Sequence, residues 1–360
     1  MKVAIDMRAL PRTGIGNYSQ ALFEGLPKLF PATIKTVSVA DNVIISRQKL
    51  RGYINRLSRL WWEQQKLPNL LRKNQVDILH NPMNHGLPIK QVCKSVVTIH
   101  DVIPLVFSDQ YLKTFVERTY YNLALKVAIS RSSMIITDSA FSMNEIIKYL
   151  DVPIKKIRVI PLACGKEFKP VLEMNRLKNV REKFGLRRPF LLTIGGNEPR
   201  KNVARLINSF EGISEKYSVD LAVVGGDWRG SGFSKGIMKA NNVYFLGSVE
   251  QEELVALYSS AELFVFPSLY EGFGLPILEA MACGSPVVAS NTSSIPEVAG
   301  DAALLFDPRD QEDMNRTIRG ILGSREIKEE LKQKGFERAK QFTWENTLNK
   351  TMEAYRYVLS

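Results

Sequence analysis

Residues 263–289 read LFVFPSLYEGFGLPILEAMACGSPVVA. Positions 263–266 form a short, wholly apolar run, as expected of a strand covered on both faces. A loop follows over 267–274, where Gly272 and Gly274 let the backbone turn sharply and approach a ligand closely. Pro276 suits the first turn of a helix predicted over 275–283, with Gly284 just past its end and Pro286 beyond. A second strand is expected at 287–289. The free amides at the start of such a helix suit a diphosphate. Glu271 lies in the loop, at the crevice outside a strand end, and Glu279 lies about one turn into the helix. Two carboxylates this close to a phosphate site need a further partner, and sugar hydroxyls are matching donors. The plain alternative is a helix-terminal charge for Glu271 and a solvated face for Glu279.

The same alternation extends in both directions. Strands are predicted over 3–5, 33–39, 76–79, 96–99, 134–137 and 157–160, and again over 190–194, 221–224, 243–246, 263–266, 287–289 and 303–306. Segments of helical spacing separate several of them, as in a doubly wound parallel sheet. Ser248 to Gln251 reads as a capping box opening one helix. The pattern pauses at Pro161-Leu162-Ala163-Cys164-Gly165 and then restarts. A chain of 360 residues exceeds the roughly 250–300 that one core supports, so two domains are expected. The fold class is α/β: two Rossmann-like domains, 1–165 and 166–341, facing across a cleft. Ligands in such sheets bind outside the carboxyl ends of the strands.

Three more segments fall at such ends. In Ile194-Gly195-Gly196-Asn197-Glu198-Pro199-Arg200-Lys201-Asn202, two cations sit where a helix begins, against its dipole, unless an anion is nearby. A diphosphate would reverse that sign, with Arg200 gripping it bidentately and Lys201 acting as a point charge. The alternative is two exposed surface cations. Gly14 and Gly16, in Arg12-Thr13-Gly14-Ile15-Gly16-Asn17-Tyr18, form a glycine-containing turn after the first strand. With Asp41 it also resembles a dinucleotide fingerprint, but Ser19 stands where the third glycine would be. His100 closes the strand at 96–99, either at the crevice or as a satisfied core histidine; His80 is placed similarly.

Glu271 and Glu279 together form the Glu-x7-Glu motif, and the chain resembles retaining glycosyltransferases of family 4, which have the GT-B fold. The resemblance covers nearly the whole chain and is most specific over 270–288. It implies that Glu271 contacts the donor sugar, that Glu279 contacts the nucleotide ribose, and that Arg200 and Lys201 clamp the diphosphate. It implies that Gly14 and Gly16 lie over the phosphates and reacting sugar, and that His100 stands beside that sugar. Gly196 and the turn Gly272, Phe273, Gly274 and Leu275 complete the expected donor site. A last helix, about 342–360, is expected to cross back onto the first domain. Transfer would retain configuration by same-face displacement, with catalysis by Glu271, Arg200, Lys201 and His100.

The segments 197–202 and 100–104 look most like bacterial mannosyltransferases of surface polysaccharide pathways, so GDP-mannose is the expected donor and a saccharide or lipid-linked saccharide the acceptor. No cofactor is expected, and no metal is required. The family's usual Asn-Gly at the hinge is here Ala163-Cys164-Gly165. The rival readings are a sugar-nucleotide epimerase of the same fold, a nicotinamide-dependent oxidoreductase and a non-catalytic sugar-nucleotide-binding protein.

Composition bounds the partners. The three cysteines, Cys93, Cys164 and Cys283, are scattered, which suggests a reducing, cytoplasmic setting and no metal cluster. The first residues read as a strand and not a signal, and no apolar stretch reaches the roughly 18 residues of a membrane span. The net charge is +12, with 24 basic and 11 acidic residues in 1–166 against 25 and 26 in the remainder. That asymmetry, +13 against −1, points to an anionic contact of the first half, with a membrane surface such as the inner face of a plasma membrane, a phosphorylated acceptor or nucleic acid; the plain alternative is solubility alone. Nucleic acid is not expected, because no aromatic-basic motif accompanies the charge. Leu50, Ile54, Leu57 and Trp61 recur at helical spacing among Lys49, Arg51, Arg56 and Arg59. Such a helix either rests on a membrane surface or packs on its own domain.

Overall fold

The computed structural model describes residues 1–9, 13–40, 58–226 and 242–360. Arg12, Asp41, Lys49, Leu50, Arg51, Ile54, Arg56 and Leu57 lie outside them. The chain divides into two compact units, Met1–Leu162 with Trp344–Ser360, and Ala163–Thr343.

The first unit is built on a parallel sheet in the order β2-β1-β3-β4-β5-β6. Its strands are β1 (Lys2–Asp6), β2 (Lys35–Val39), β3 (Ile78–Asn81), β4 (Lys94–Thr98), β5 (Met134–Thr137) and β6 (Ile157–Val159). Strand side chains alternate between faces, and both faces are covered. Val3 and Ile5 join Tyr18, Leu22 and Leu26 of helix Gly14–Leu29 and Leu348, Met352 and Tyr355 of the last helix, Trp344–Leu359. Ala4, Leu79 and Val97 join Trp62, Leu67, Leu71 and Ile146 on the other side. The last helix packs against helix Gly14–Leu29 so closely that a Cβ added at Gly25 would meet Leu348 at 2.6 Å.

The second unit repeats the design in the order β12-β11-β10-β7-β8-β9. Its strands are β7 (Phe190–Ile194), β8 (Asp220–Val224), β9 (Val243–Gly247), β10 (Leu263–Phe266), β11 (Val287–Ser290) and β12 (Ala303–Phe306). Every pairing in both sheets is parallel.

All twelve expected strands are present, four with the expected ends and eight with one or both ends shifted. The second begins at Lys35, because the amides of Thr33 and Ile34 are spent closing the preceding helix on the Phe30 carbonyl. The third begins at Ile78, after a left-handed Gln75 and a Val76 amide bonded back to Leu71. The capping box at Ser248 is displaced by two residues. Helix Gln251–Ser260 is capped by Glu250, and the reciprocal partner is Glu253. The pairing needs its acid three residues past the cap, and Gln251 is instead the first helical residue.

Each sheet has one interior point at which the strand order reverses. In each sheet the chain runs one way from its first strand and later returns to the other side, at β1/β3 and at β7/β10. Crevices outside the carboxyl ends at such reversals are where open α/β sheets bind ligands.

Candidate active site

In the second unit the loops leaving β7 and β10 carry the charged residues. After β7 the chain makes a single 3-10 turn, Pro199–Lys201, then a left-handed Asn202, then helix Val203–Tyr217. Asn tolerates that conformation, and its side chain donates to the Pro308 carbonyl at 2.8 Å. The Leu269 amide donates to the Arg200 carbonyl at 2.7 Å, tying the two loops together. Gly274, at φ +106, turns the chain into helix Leu275–Ala282 with Pro276 in its first turn. Gly196 lies against Gly226, where an added Cβ would come within 2.6 Å of the Gly196 Cα.

Glu271 is buried and held by both cations. Lys201 Nζ donates to Oε1 at 2.7 Å and Arg200 Nη1 to Oε2 at 3.0 Å. Arg200 also donates to the Tyr270 carbonyl and pairs with Glu198 at 2.9 Å. Burial alone would raise the Glu271 pKa, but the charges of Lys201 and Arg200 outweigh it and the net shift is downward. Glu271 is therefore a fixed carboxylate. The alternative of two exposed surface cations does not hold, because both side chains are largely covered and paired with Glu271. Glu271 already supplies an anion, which is why they are tolerated at a helix start.

Glu279 has a different environment. It is half-buried, accepts a hydrogen bond from the Tyr258 hydroxyl at 3.0 Å, and is pushed up to about 7 by burial. It is neither ion-paired among the described residues nor on a fully solvated face. The loop around Glu271 is also pinned from β11. The Glu271 amide donates to Ser293 Oγ at 3.1 Å, and Ser294 Oγ donates to the carbonyls of Glu271 and Phe273 at 3.0 and 2.8 Å. Phe273 is buried, with its ring edge-on to Phe342. Ser293, Ser294 and Tyr258 were missed in the sequence. Small hydroxyl residues after a strand are common, and only the fold brings them to this loop.

In the first unit, His100 follows β4 and Asp138 follows β5. His100 Nδ1 lies 2.6 Å from Asp138 Oδ2, Nε2 lies 3.2 Å from the Pro82 carbonyl, and the Tyr18 ring stands edge-on at 5.1 Å. Burial works to lower the His100 pKa, yet the charge and hydrogen bond of Asp138 raise it more. Both ring nitrogens face acceptors, so the group is a donor and not a base. Asp138 had one sequence signal, an acid closing the neighbouring strand.

His80 is a core histidine. It is fully buried between the Tyr355 hydroxyl, 2.5 Å from Nδ1, and Thr98 Oγ1, 2.7 Å from Nε2, and burial lowers its pKa to about 3. Gly14 and Gly16 lie in the first turn of a helix, not in an open loop. Thr13 caps that helix by accepting from the Gly16 amide at 3.1 Å. Arg59 is engaged within its own unit by Glu63, at 2.9 Å, and by His85.

The chain matches the model of glycosyl transferases group 1 over residues 177–338 and that of glycosyltransferase family 4 over residues 19–164. It is 32% identical to the O-antigen chain mannosyltransferase B of Escherichia coli over 96% of both chains. The chain belongs to glycosyltransferase family 4. This glycosyltransferase is also 32% identical, over 76% of its length, to a serotype-specific mannosyltransferase, WbdA, of Escherichia coli, of which the match covers 34%. Its fold is GT-B. Sucrose-phosphate synthase from Thermosynechococcus elongatus superposes with a TM-score of 0.76 at 20% identity, covering 99% of each chain.

Proposed function

We propose that this glycosyltransferase moves a mannosyl group from GDP-mannose, with retention of configuration, onto a saccharide or lipid-linked saccharide acceptor in surface polysaccharide synthesis. The names of the relatives, mannosyltransferases of O-antigen and serotype-specific chains, support the sugar and the pathway class. The observation that carries the chemistry is Glu271, ionised between Arg200 and Lys201 at the carboxyl ends of β7 and β10.

In this reading Arg200, Lys201 and the first-turn amides at Leu275 take the donor diphosphate, with Gly196, Gly272 and Gly274 leaving room for it. The opening turn at Gly14 and Gly16 serves the phosphates and the reacting sugar. Glu279 accepts from the ribose hydroxyls. As the bond from the anomeric carbon to the phosphate oxygen breaks, its electron pair goes to the diphosphate, where the two cations stabilise it. The acceptor oxygen bonds the same face of the anomeric carbon, and its proton passes to a leaving phosphate oxygen.

Retention through a covalent enzyme intermediate would need a nucleophile. Glu271, held by two cations, is a poor nucleophile and a poor base. It is suited instead to stabilising the positive charge that develops on the sugar. His100, oriented by Asp138 through Nδ1, is assigned to a sugar hydroxyl that takes over its Nε2–H from the longer contact to the Pro82 carbonyl. Arg200 and Lys201 supply the countercharge, so no metal is required for the diphosphate.

A thermal-shift screen against GDP-mannose and against UDP-, dTDP- and ADP-sugars tests the donor. A ligand at 100 times its dissociation constant adds about 2.7 kcal/mol. Protection by a uridine or adenine sugar, and none by GDP-mannose, would overturn the donor. An inverted anomeric product by NMR would overturn the stereochemistry.

A further inference from the structure

In the glycosyl-transfer reading, Glu271, Glu279 and His100 all serve the donor, which leaves the acceptor to other residues. In the first unit the chain leaves β3 through Pro82-Met83-Asn84-His85-Gly86, at a strand's carboxyl end beside the point where the sheet order reverses. This loop reaches His100, whose Nε2 lies 3.2 Å from the Pro82 carbonyl.

Two consecutive polar side chains of the loop are each held by one end. Asn84 Nδ2 donates to the Asp101 carbonyl at 3.1 Å and to the Tyr121 hydroxyl at 3.2 Å. A carbonyl only accepts, so the amide is oriented with Oδ1 as its remaining acceptor. His85 Nδ1 lies 3.2 Å from Arg59 Nη2. A guanidinium only donates, so Nδ1 accepts and the proton sits on Nε2. Among the described residues, neither Asn84 Oδ1 nor His85 Nε2 has a hydrogen-bond partner, and neither atom is sealed from the surface. The His85 ring stands edge-on to Tyr120 and Tyr121, with centroids 6.3 and 5.9 Å away. Burial, helped by the charges of Arg59 and Arg8, pushes its pKa down to about 3, so it stays neutral.

An open donor next to an open acceptor, beside aromatic rings, matches sugar hydroxyls, which both give and take hydrogen bonds. The charges at the same loop argue against a phosphate. Arg8 donates to Asp6 at 2.5 Å and to Glu63 at 2.8 Å, and Arg59 donates to Glu63 at 2.9 Å. This network lies against the loop, since a Cβ added at Gly86 would meet Arg8 Nη2 at 2.8 Å and Glu63 Oε1 at 3.0 Å. Two guanidiniums thus face two carboxylates, and neither cation is left to pair with an anionic acceptor. We infer that Asn84 and His85 form an acceptor subsite selective for an uncharged saccharide terminus, with His85 Nε2–H donating to one sugar oxygen and Asn84 Oδ1 accepting from a hydroxyl. The inference rests on the glycosyl-transfer reading and names the acceptor class for it.

The test uses the full chain, the nucleotide sugar that protects it in the donor screen, and pairs of acceptors. Methyl glycosides of mannose, glucose and N-acetylglucosamine are compared with their 6-phosphates, and nucleotide release dependent on the acceptor is measured. Transfer should favour the uncharged member of each pair that is used. His85→Phe keeps the ring contacts and removes the donor, so it should lower kcat/KM for the acceptor by about tenfold, mostly through KM, as expected for one lost hydrogen bond. His85→Gln, which keeps an N–H donor, should recover part of that loss, and Asn84→Ala should act in the same direction as His85→Phe. Protection by the nucleotide sugar should be unchanged in His85→Phe. Absence of any such protection in the wild type would instead report a failed donor reading. No transfer to any uncharged glycoside, preference for the phosphorylated ones, or an acceptor KM that neither His85→Phe nor Asn84→Ala moves would overturn the inference.

Discussion

Glu279→Gln should stabilise the unliganded protein above neutral pH while weakening nucleotide binding. The reasoning starts from burial. The Glu279 carboxyl moves from an ordinary 4.5 to about 7, chiefly because burial penalises its charge, and the Tyr258 hydroxyl offsets only part of this. The folded state therefore binds its proton more tightly than the unfolded chain. With the folded pKa above the unfolded one, the associated stability is full below pH 4.5. It falls as pH rises from 4.5 to about 7 and is constant beyond. The shift corresponds to a loss of about 3 kcal/mol. Glutamine keeps an oxygen for Tyr258 and cannot ionise. Urea unfolding of both proteins from pH 4.5 to 8 gives the difference directly, since other titrations cancel. The variant should gain on the wild type through that window and lead by up to about 3 kcal/mol at pH 8. Because ribose hydroxyls favour the carboxylate, GDP binding by the wild type at pH 7 should also release about half a proton, read by calorimetry in two buffers. A stability difference that stays flat across the window would refute the assignment of the proton to Glu279.

Glu271→Gln should leave the fold and GDP affinity largely intact, because it removes a negative neighbour of the diphosphate. It should still lower turnover by about 10²–10³, and near-normal steady-state turnover would take Glu271 out of the chemistry. Arg200→Ala and Lys201→Ala should each weaken GDP binding, and wild-type transfer should persist in EDTA; an absolute need for Mg²⁺ or Mn²⁺ would contradict the clamp. His100→Ala should cost turnover more than donor affinity. Because Asp138 raises the His100 pKa, wild-type turnover should fall only as pH rises through a value above 6.5. Asp138→Asn should move that limb of the pH–rate profile to lower pH, and an unmoved limb would assign it to another group.

The sheets were legible because parallel strands buried on both faces write themselves as continuous apolar runs, as in β8 and β10. Helix Leu275–Ala282 was legible because glycine and proline punctuate it. Side-chain partnerships were less visible, since they join residues far apart in the chain. Nothing near Glu271 in the sequence says that Arg200 and Lys201, some 70 positions away, will neutralise it. His80 and His100 both close strands in similar local sequence. Only the last helix, which brings Tyr355 onto His80, makes one a core residue, while Asp138 raises the pKa of the other. The capping box slipped for the opposite reason: Ser248 fitted a local rule, but the glycine-ended strand needed two more residues before the helix could begin.

The two glutamates of the motif are eight positions apart, yet their surroundings drive their pKa values in opposite directions. Two titratable groups separated in this way mark different roles within one site. Glu271, with two cations, a backbone amide bonded to Ser293 and a loop pinned by Ser294, keeps its charge at any pH the enzyme meets. That suits it to a transition state whose positive charge appears briefly on the sugar, since its orientation is fixed before the reaction begins. Glu279 has one neutral donor, Tyr258, and a proton shared near neutrality. A ligand presenting hydroxyl donors would complete its hydrogen bonds and release that proton, so on the proposed assignment the cost of keeping Glu279 buried falls when a nucleotide ribose binds. In the proposed reading, the pair divides the donor between a group that is always charged, for the reacting end, and one charged on binding, for the recognition end.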